Sequence, residues 1–149
     1  MALNGPIILI EDDESDADVI MSAIVELKAP NKIIHFLTAA EALDYLNVTA
    51  DRPLMLLCDV RMPAIDGLSL LRQVQLSEHL RVKAIPFIFL SAVDSQNVID
   101  EAYNIGVQGF YVKPATYIAL KDVIQTIMVY WLTSRHPSKR FSDEHASRQ

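Results

Sequence analysis

Five short apolar runs punctuate the chain: Ile7–Ile10, Ile33–Leu37, Leu54–Cys58, Phe87–Leu90 and Gly109–Val112. The strongest lack polar alternation, as expected of strands covered on both faces of a parallel sheet. Between them the apolar positions recur at helical spacing. Ile20, Ala23, Ile24 and Leu27 share one face, as do Leu68, Leu71 and Val74, and Val98, Ala102 and Tyr103. The pattern predicts strands near 6–11, 32–37, 54–59, 86–91 and 108–112, and helices near 15–28, 39–48, 66–76, 95–105 and 116–133. Ser15-x-x-Asp18 and Thr38-x-x-Glu41 read as capping boxes, Asp94 as the N-cap of the fourth helix and Gly106 as its stop.

Strand and helix thus alternate five times. That order implies an α/β domain with a five-stranded parallel sheet, right-handed crossovers and helices on both faces. On the last helix, Leu120, Val123, Ile124, Ile127 and Trp131 form the core face. Ile118, Val129 and Leu132 fall near the opposite side and should face solvent. They are either scattered surface residues or a homodimer or partner surface. After Leu132 the composition turns polar, so residues 1–133 are expected to form the domain and 134–149 a mobile polar tail.

Composition narrows the class. The chain has 149 residues, 51% hydrophobic, enough for one core and too few for two ordinary domains. Its single cysteine, Cys58, excludes an intrachain disulfide and reads as a small core residue, with a redox role left open. The start lacks the pattern of a signal peptide, and no apolar run approaches the ~18 residues of a membrane span, so a cytoplasmic protein without membrane contact is expected. With 13 Lys+Arg against 19 Asp+Glu the net charge is −6, which disfavours nucleic acid as a partner. The acids are concentrated: Glu11, Asp12, Asp13, Glu14, Asp16 and Asp18 lie within eight positions.

Ligands of an open parallel sheet bind beyond the carboxyl ends of its strands. There the first strand delivers Glu11 and Asp12, the third Asp59, the fourth Ser91 and the fifth Lys113, followed by Pro114. Three adjacent carboxylates repel, and a hard divalent cation such as Mg2+ relieves this. An ionised Asp beside such an ion can attack phosphorus and form an aspartyl phosphate. Lys113 and the Ser91 hydroxyl can then stabilise the phosphoryl oxygens. Asp59 as an ordinary strand-end carboxylate is the plainer alternative.

The stretches Ile7–Asp13, Leu56–Gly67, Phe89–Ala92 and Gly109–Pro114 resemble the receiver domain of two-component response regulators. The resemblance covers about residues 6–132 and implies a flavodoxin-like doubly wound sheet of strand order 2-1-3-4-5. It implies Asp59 as phosphoacceptor from a histidine kinase or phosphotransfer protein. It implies Asp12 as a direct Mg2+ ligand, Glu11 acting through water, and the Arg61 backbone carbonyl completing the set; Asp13 ranks below Glu11. Ser91 and Phe110 occupy the switch positions, Lys113 is the phosphate-binding lysine, and the Lys113–Pro114 bond would be cis. Phe110 can serve packing as well. Arg61 and Val93 flank the line of attack for water, which implies a long-lived phosphorylated state. With no output module following, the resemblance implies a stand-alone receiver that signals through protein contacts or phosphorelay. The acidic start and long last helix are also similar to small regulators that partner phytochrome-like kinases.

Other readings of the same pattern are weaker. A phosphohydrolase with Asp59 as nucleophile would want a second acid where Arg61 stands, and a flavin mononucleotide binder would want a hydroxyl-rich loop where Glu11–Glu14 repel phosphate. The histidines His35, His79, His136 and His145 show no ligand spacing and read as surface or tail. Asp66-Gly67 reads as a turn and helix start that brings Ala64 and Ile65 near Asp59.

Overall fold

The computed structural model describes residues 4–136. Its elements in order are β1 (Ile7–Ile10), α1 (Glu14–Glu26), β2 (Ile33–Phe36), α2 (Ala39–Val48), β3 (Met55–Cys58), α3 (Gly67–Leu76), α4 (Glu78–Lys83), β4 (Phe87–Ser91), α5 (Gln96–Ile105), β5 (Gly109–Val112) and α6 (Tyr117–Thr133). All strand pairs are parallel and the order is β2-β1-β3-β4-β5. Of the tail expected over 134–149, residues 137–149 lie outside the described residues.

The unbroken apolar runs have the expected cause. Every residue of β1, β3 and β4 is buried, because these inner strands are covered on both faces. Successive side chains alternate between two cores. Ile8, Ile10, Leu56, Cys58, Phe87 and Phe89 pack against α2, α3, α4 and α5. Ile7, Leu9, Met55, Leu57, Ile88 and Leu90 pack against α1 and α6. Each fully buried Leu, Ile or Phe contributes about 1.5–3 kcal/mol relative to exposure. The edge strands β2 and β5 are only partly buried.

Several local expectations are corrected. The N-cap of α1 is Asp13, in extended backbone, whose carboxylate accepts the Asp16 N–H at 2.9 Å. Ser15 already lies within the helix and does not cap it. The α2 cap holds: Thr38 accepts the Glu41 N–H at 3.2 Å and donates its hydroxyl to the Glu41 carboxylate at 3.0 Å. The cap position of α5 belongs to Ser95 instead of Asp94, without a side-chain bond. Gly106 does stop α5, at φ +122°, a conformation open to glycine. The helix α4 falls where the apolar pattern predicts none. It is six residues long with one buried residue, Leu80, and it stops at Ala84 rather than at a glycine.

On α6, Ile118 and Val129 are exposed as expected, but Leu132 packs against the α1/α6 core. It lies one turn beyond buried Met128, about 40° round the helix. No cis peptide bond occurs among the described residues, so Lys113–Pro114 is trans, against the resemblance; trans is the intrinsically favoured X–Pro form. No described helix is long and apolar enough to cross a membrane.

Candidate functional site

The sheet ladder itself places the site. In register, Ile10 pairs with Cys58, and Cys58 with Phe89. Hydrogen bonds then run one residue past the strands. The Glu11 N–H donates to the Phe36 carbonyl at 3.1 Å, Asp59 N–H to Ile10 at 3.0 Å, and Lys113 N–H to Ser91 at 2.8 Å. Glu11, Asp59, Ser91 and Lys113 therefore sit at, or one residue past, the carboxyl ends of paired strands and have little freedom to drift.

Four of the expected residues meet at Asp59. The Ser91 hydroxyl donates to Asp59 Oδ1 at 2.7 Å and itself accepts the Val93 N–H at 3.2 Å. Lys113 Nζ lies 3.5 Å from Asp59 Oδ2 and 3.0 Å from Glu11 Oε2. It also lies 3.2 Å from Asp16 Oδ2, a residue that the sequence places only among the acids at the rim of the site. Glu11, Asp12 and Asp59 each offer a carboxylate oxygen within 4.8 Å of the others. Glu11 is buried, Asp59 half-buried and Asp12 exposed. Asp13 instead caps α1 and is not one of these three acids.

Other neighbours complete the frame. Gly67 approaches the site closely: a Cβ there would lie 2.3 Å from the Asp59 carbonyl oxygen and 2.6 Å from the Phe89 ring. Asp66 caps α3 by accepting the Ser69 N–H at 2.8 Å, as the turn expectation required. Ala64 is exposed at φ +66°, whereas Ile65 leans on the core. Arg61, also exposed, lines a shallow hollow with Met62, Pro63 and Asp66. Phe110 is partly buried with its ring centroid 5.6 Å from that of Phe89, which in turn packs beside Gly67. His35, read as a surface residue, instead hydrogen-bonds the Glu11 carbonyl oxygen through Nε2 at 2.8 Å. His136 contacts the Trp131 carbonyl at 2.6 Å. The His35 contact joins segments 24 positions apart, whereas His136 folds back on the end of α6.

The electrostatics show an excess of negative charge. Burial first, and then the charge of Asp59, push the Glu11 carboxyl up to about 7 despite its bond to Lys113. Burial opposes the charge on Lys113, but the Glu11 bond and the Glu11 and Asp59 charges outweigh it and hold the ammonium above its ordinary range. One shift resists ionisation and the other favours it, and both follow from several acids sharing one ammonium. The Cys58 thiol is pushed well up by burial and by Asp59, Glu11 and Asp66, which makes it an inert core group. A cluster of oxygen donors short of positive charge fits a hard divalent cation.

The comparisons agree with this geometry. The sequence profile of the response regulator receiver domain matches residues 7–125. The probable methanogenesis regulatory protein FilR2 of Methanothrix harundinacea is 35% identical over 130 residues, 85% of this chain and 83% of that protein. The phosphorylated cyanobacterial phytochrome response regulator RcpA superimposes with a TM-score of 0.83 at 26% identity, over 91% of this chain and 99% of that one. The bacteriophytochrome response regulator AtBRR does so with a TM-score of 0.70 at 29% identity, over 90% and 96%. Sheet order, strand-end chemistry and these relatives coincide, and the chain belongs to the response regulator receiver domain family, signalling domains that accept a phosphoryl group on an aspartate from a histidine kinase.

Proposed function

We propose that Asp59 is the phosphoacceptor of this receiver and that Ser91 and Lys113 are the groups that stabilise the transferred phosphoryl group. The observation that carries the reading is their convergence: the Ser91 hydroxyl at 2.7 Å and the Lys113 ammonium at 3.5 Å address the two different oxygens of the Asp59 carboxylate. An Asp59 oxygen attacks phosphorus, the bond from phosphorus to the donor's leaving group breaks, and the leaving group departs with the electron pair. The product is an acyl phosphate whose new oxygens lie within reach of the hydroxyl and the ammonium. Glu11, Asp12, Asp59 and the Arg61 backbone carbonyl would hold Mg2+, Glu11 through water. Bound there, the ion supplies positive charge against the acid cluster and the phosphoryl oxygens. The domain would label itself from small phosphodonors in a Mg2+-dependent manner, and lose the group by hydrolysis.

Phosphorylation adds negative charge beside Ser91. In our reading the Ser91 hydroxyl turns toward the new oxygens and Phe110, which contacts Phe89, follows; the phosphorylated form thereby favours a second conformation that a partner recognises. The cognate partner is a histidine kinase or phosphotransfer protein, and the output is a protein contact or onward phosphoryl transfer. The exposed Ile118 and Val129, 20° apart around α6, suit a homodimer contact, and Leu132 does not contribute. Light scattering over a concentration series should lose its dimer fraction in Ile118→Glu/Val129→Glu; a wild type that stays monomeric throughout rejects this contact.

The main test is labelling by acetyl phosphate with Mg2+. Wild type should take up acid-labile phosphate stoichiometrically, and Asp59→Asn should take up none. Labelling that survives Asp59→Asn would remove the assignment.

A further inference from the structure

The ammonium of Lys113 has three N–H donors and faces three carboxylates. Glu11 lies at 3.0 Å, Asp16 at 3.2 Å and Asp59 at 3.5 Å. Two of these, Glu11 and Asp59, belong to the acid cluster whose oxygens lie within 4.8 Å of one another. Asp16 does not belong to that cluster. It stands on the first turn of α1, held there because its own N–H donates to the Asp13 carboxylate at 2.9 Å. Beside Asp16 and Lys113 opens a cleft of about 320 Å3, bordered by Val19, Pro114, Thr116 and Tyr117. A flexible lysine stem released from the acids has that space to enter.

We infer that Asp16 is a positioning residue, the tether that keeps the Lys113 ammonium at Asp59 when the cluster acids are engaged elsewhere. The inference rests on the reading of Asp59 and Lys113 given above. Any cation held by Glu11, Asp12 and Asp59 competes with Lys113 for two of its three partners. Asp16 lies outside that competition and is the partner that Lys113 keeps. With one N–H anchored on Asp16, the ammonium stays beside Asp59, where a phosphoryl oxygen arrives. The Asp16 carboxylate is half exposed, so its pull on Lys113 is that of a partly screened ion pair.

The test uses the full chain with acetyl phosphate and Mg2+, in wild type, Asp16→Asn, Asp16→Glu and Glu14→Gln. Glu14 is the other acid of the same helical turn, so its variant removes an equal charge from the α1 N-terminus. Asp16→Asn should slow initial labelling about two- to fivefold, the range of a partly exposed pair. Asp16→Glu should recover most of the rate, and Glu14→Gln should match wild type. Mg2+ affinity by calorimetry should stay within about twofold of wild type in Asp16→Asn. The Lys113 ammonium signal in 15N spectra with Mg2+ present should be visible in wild type and broadened away in Asp16→Asn. An unchanged rate or ammonium signal in Asp16→Asn, an equal loss in Glu14→Gln, or a loss of Mg2+ affinity that accounts for the rate would overturn the inference. Labelling that persists in Asp59→Asn would instead reject the phosphoacceptor assignment, while the ammonium signal still decides the Asp16–Lys113 contact.

Discussion

Ala64 and Ala84 hold φ +66° and φ +50°, in the left-handed region where a Cβ is disfavoured. Both are exposed, so a glycine there loses no packing. Ala64→Gly and Ala84→Gly should each stabilise the fold by about 0.5–1 kcal/mol, measured by urea unfolding. A destabilisation at either site would contradict the strain argument. Arg61 and Val93 carry a different expectation at this scale. Arg61 stands exposed two residues beyond Asp59, and Val93 is buried two beyond Ser91, with an apolar side chain that cannot hold an attacking water. Acid-labile phosphate should decay about tenfold more slowly in wild type than in Arg61→Asn/Val93→Glu, a barrier difference of ~1.4 kcal/mol. Equal or faster decay in wild type rejects the long-lived state. Residues such as Asp59, Ser91 and Lys113 could be singled out from sequence because each directly follows or closes an apolar run. Asp16 could not, because its significance is a distance to a residue 97 positions away.

Helices begin here with and without a side-chain cap, and the difference is measurable. Thr38 bonds the Glu41 N–H at the start of α2, whereas Ser95 makes no such bond at α5. Thr38→Ala should cost about 1 kcal/mol, and Ser95→Ala no more than a few tenths. Equal costs would mean that the cap bond of Thr38 contributes little. The same contrast explains why Asp13 displaced Ser15 as the cap of α1. A capping side chain must sit on extended backbone just before the helix, and Asp13 at φ −89°, ψ 112° does. Sequence offers several hydroxyl and carboxylate candidates near a boundary, and the backbone conformation selects among them. The short α4 escaped the periodicity because six residues with a single buried apolar position carry no repeat. Its place is set by packing of Leu80 against the core shared with α3.

Across the whole molecule, the strand-end acids couple stability to pH. Burial and the Asp59 charge push the Glu11 carboxyl from its ordinary 4.5 up to about 7 in the folded protein. Between those values the folded state holds a proton that the unfolded chain has released, so stability falls as pH rises. The contribution is fully present below 4.5 and lost above about 7. In chelator, wild-type stability should therefore decline from pH 5 to pH 8 by on the order of 2 kcal/mol, and Glu11→Gln should flatten the decline and exceed wild type at pH 8. Wild-type stability that rises over this window, with Glu11→Gln parallel to it, would refute the assignment. The alternation of apolar runs and helical spacings determined the class, the two-sided burial of β1, β3 and β4, and which residues stand at the strand ends, because burial and chain period are local properties of sequence. The motif resemblance added the sheet order and the histidine kinase as phosphoryl donor. Only the tertiary structure decided that Leu132 turns inward, that His35 braces the Glu11 carbonyl, that Gly67 leaves no room beside Asp59, and that Lys113 is shared among Glu11, Asp16 and Asp59. Those are through-space relations between distant segments, and a one-dimensional pattern of polar and apolar positions does not contain them.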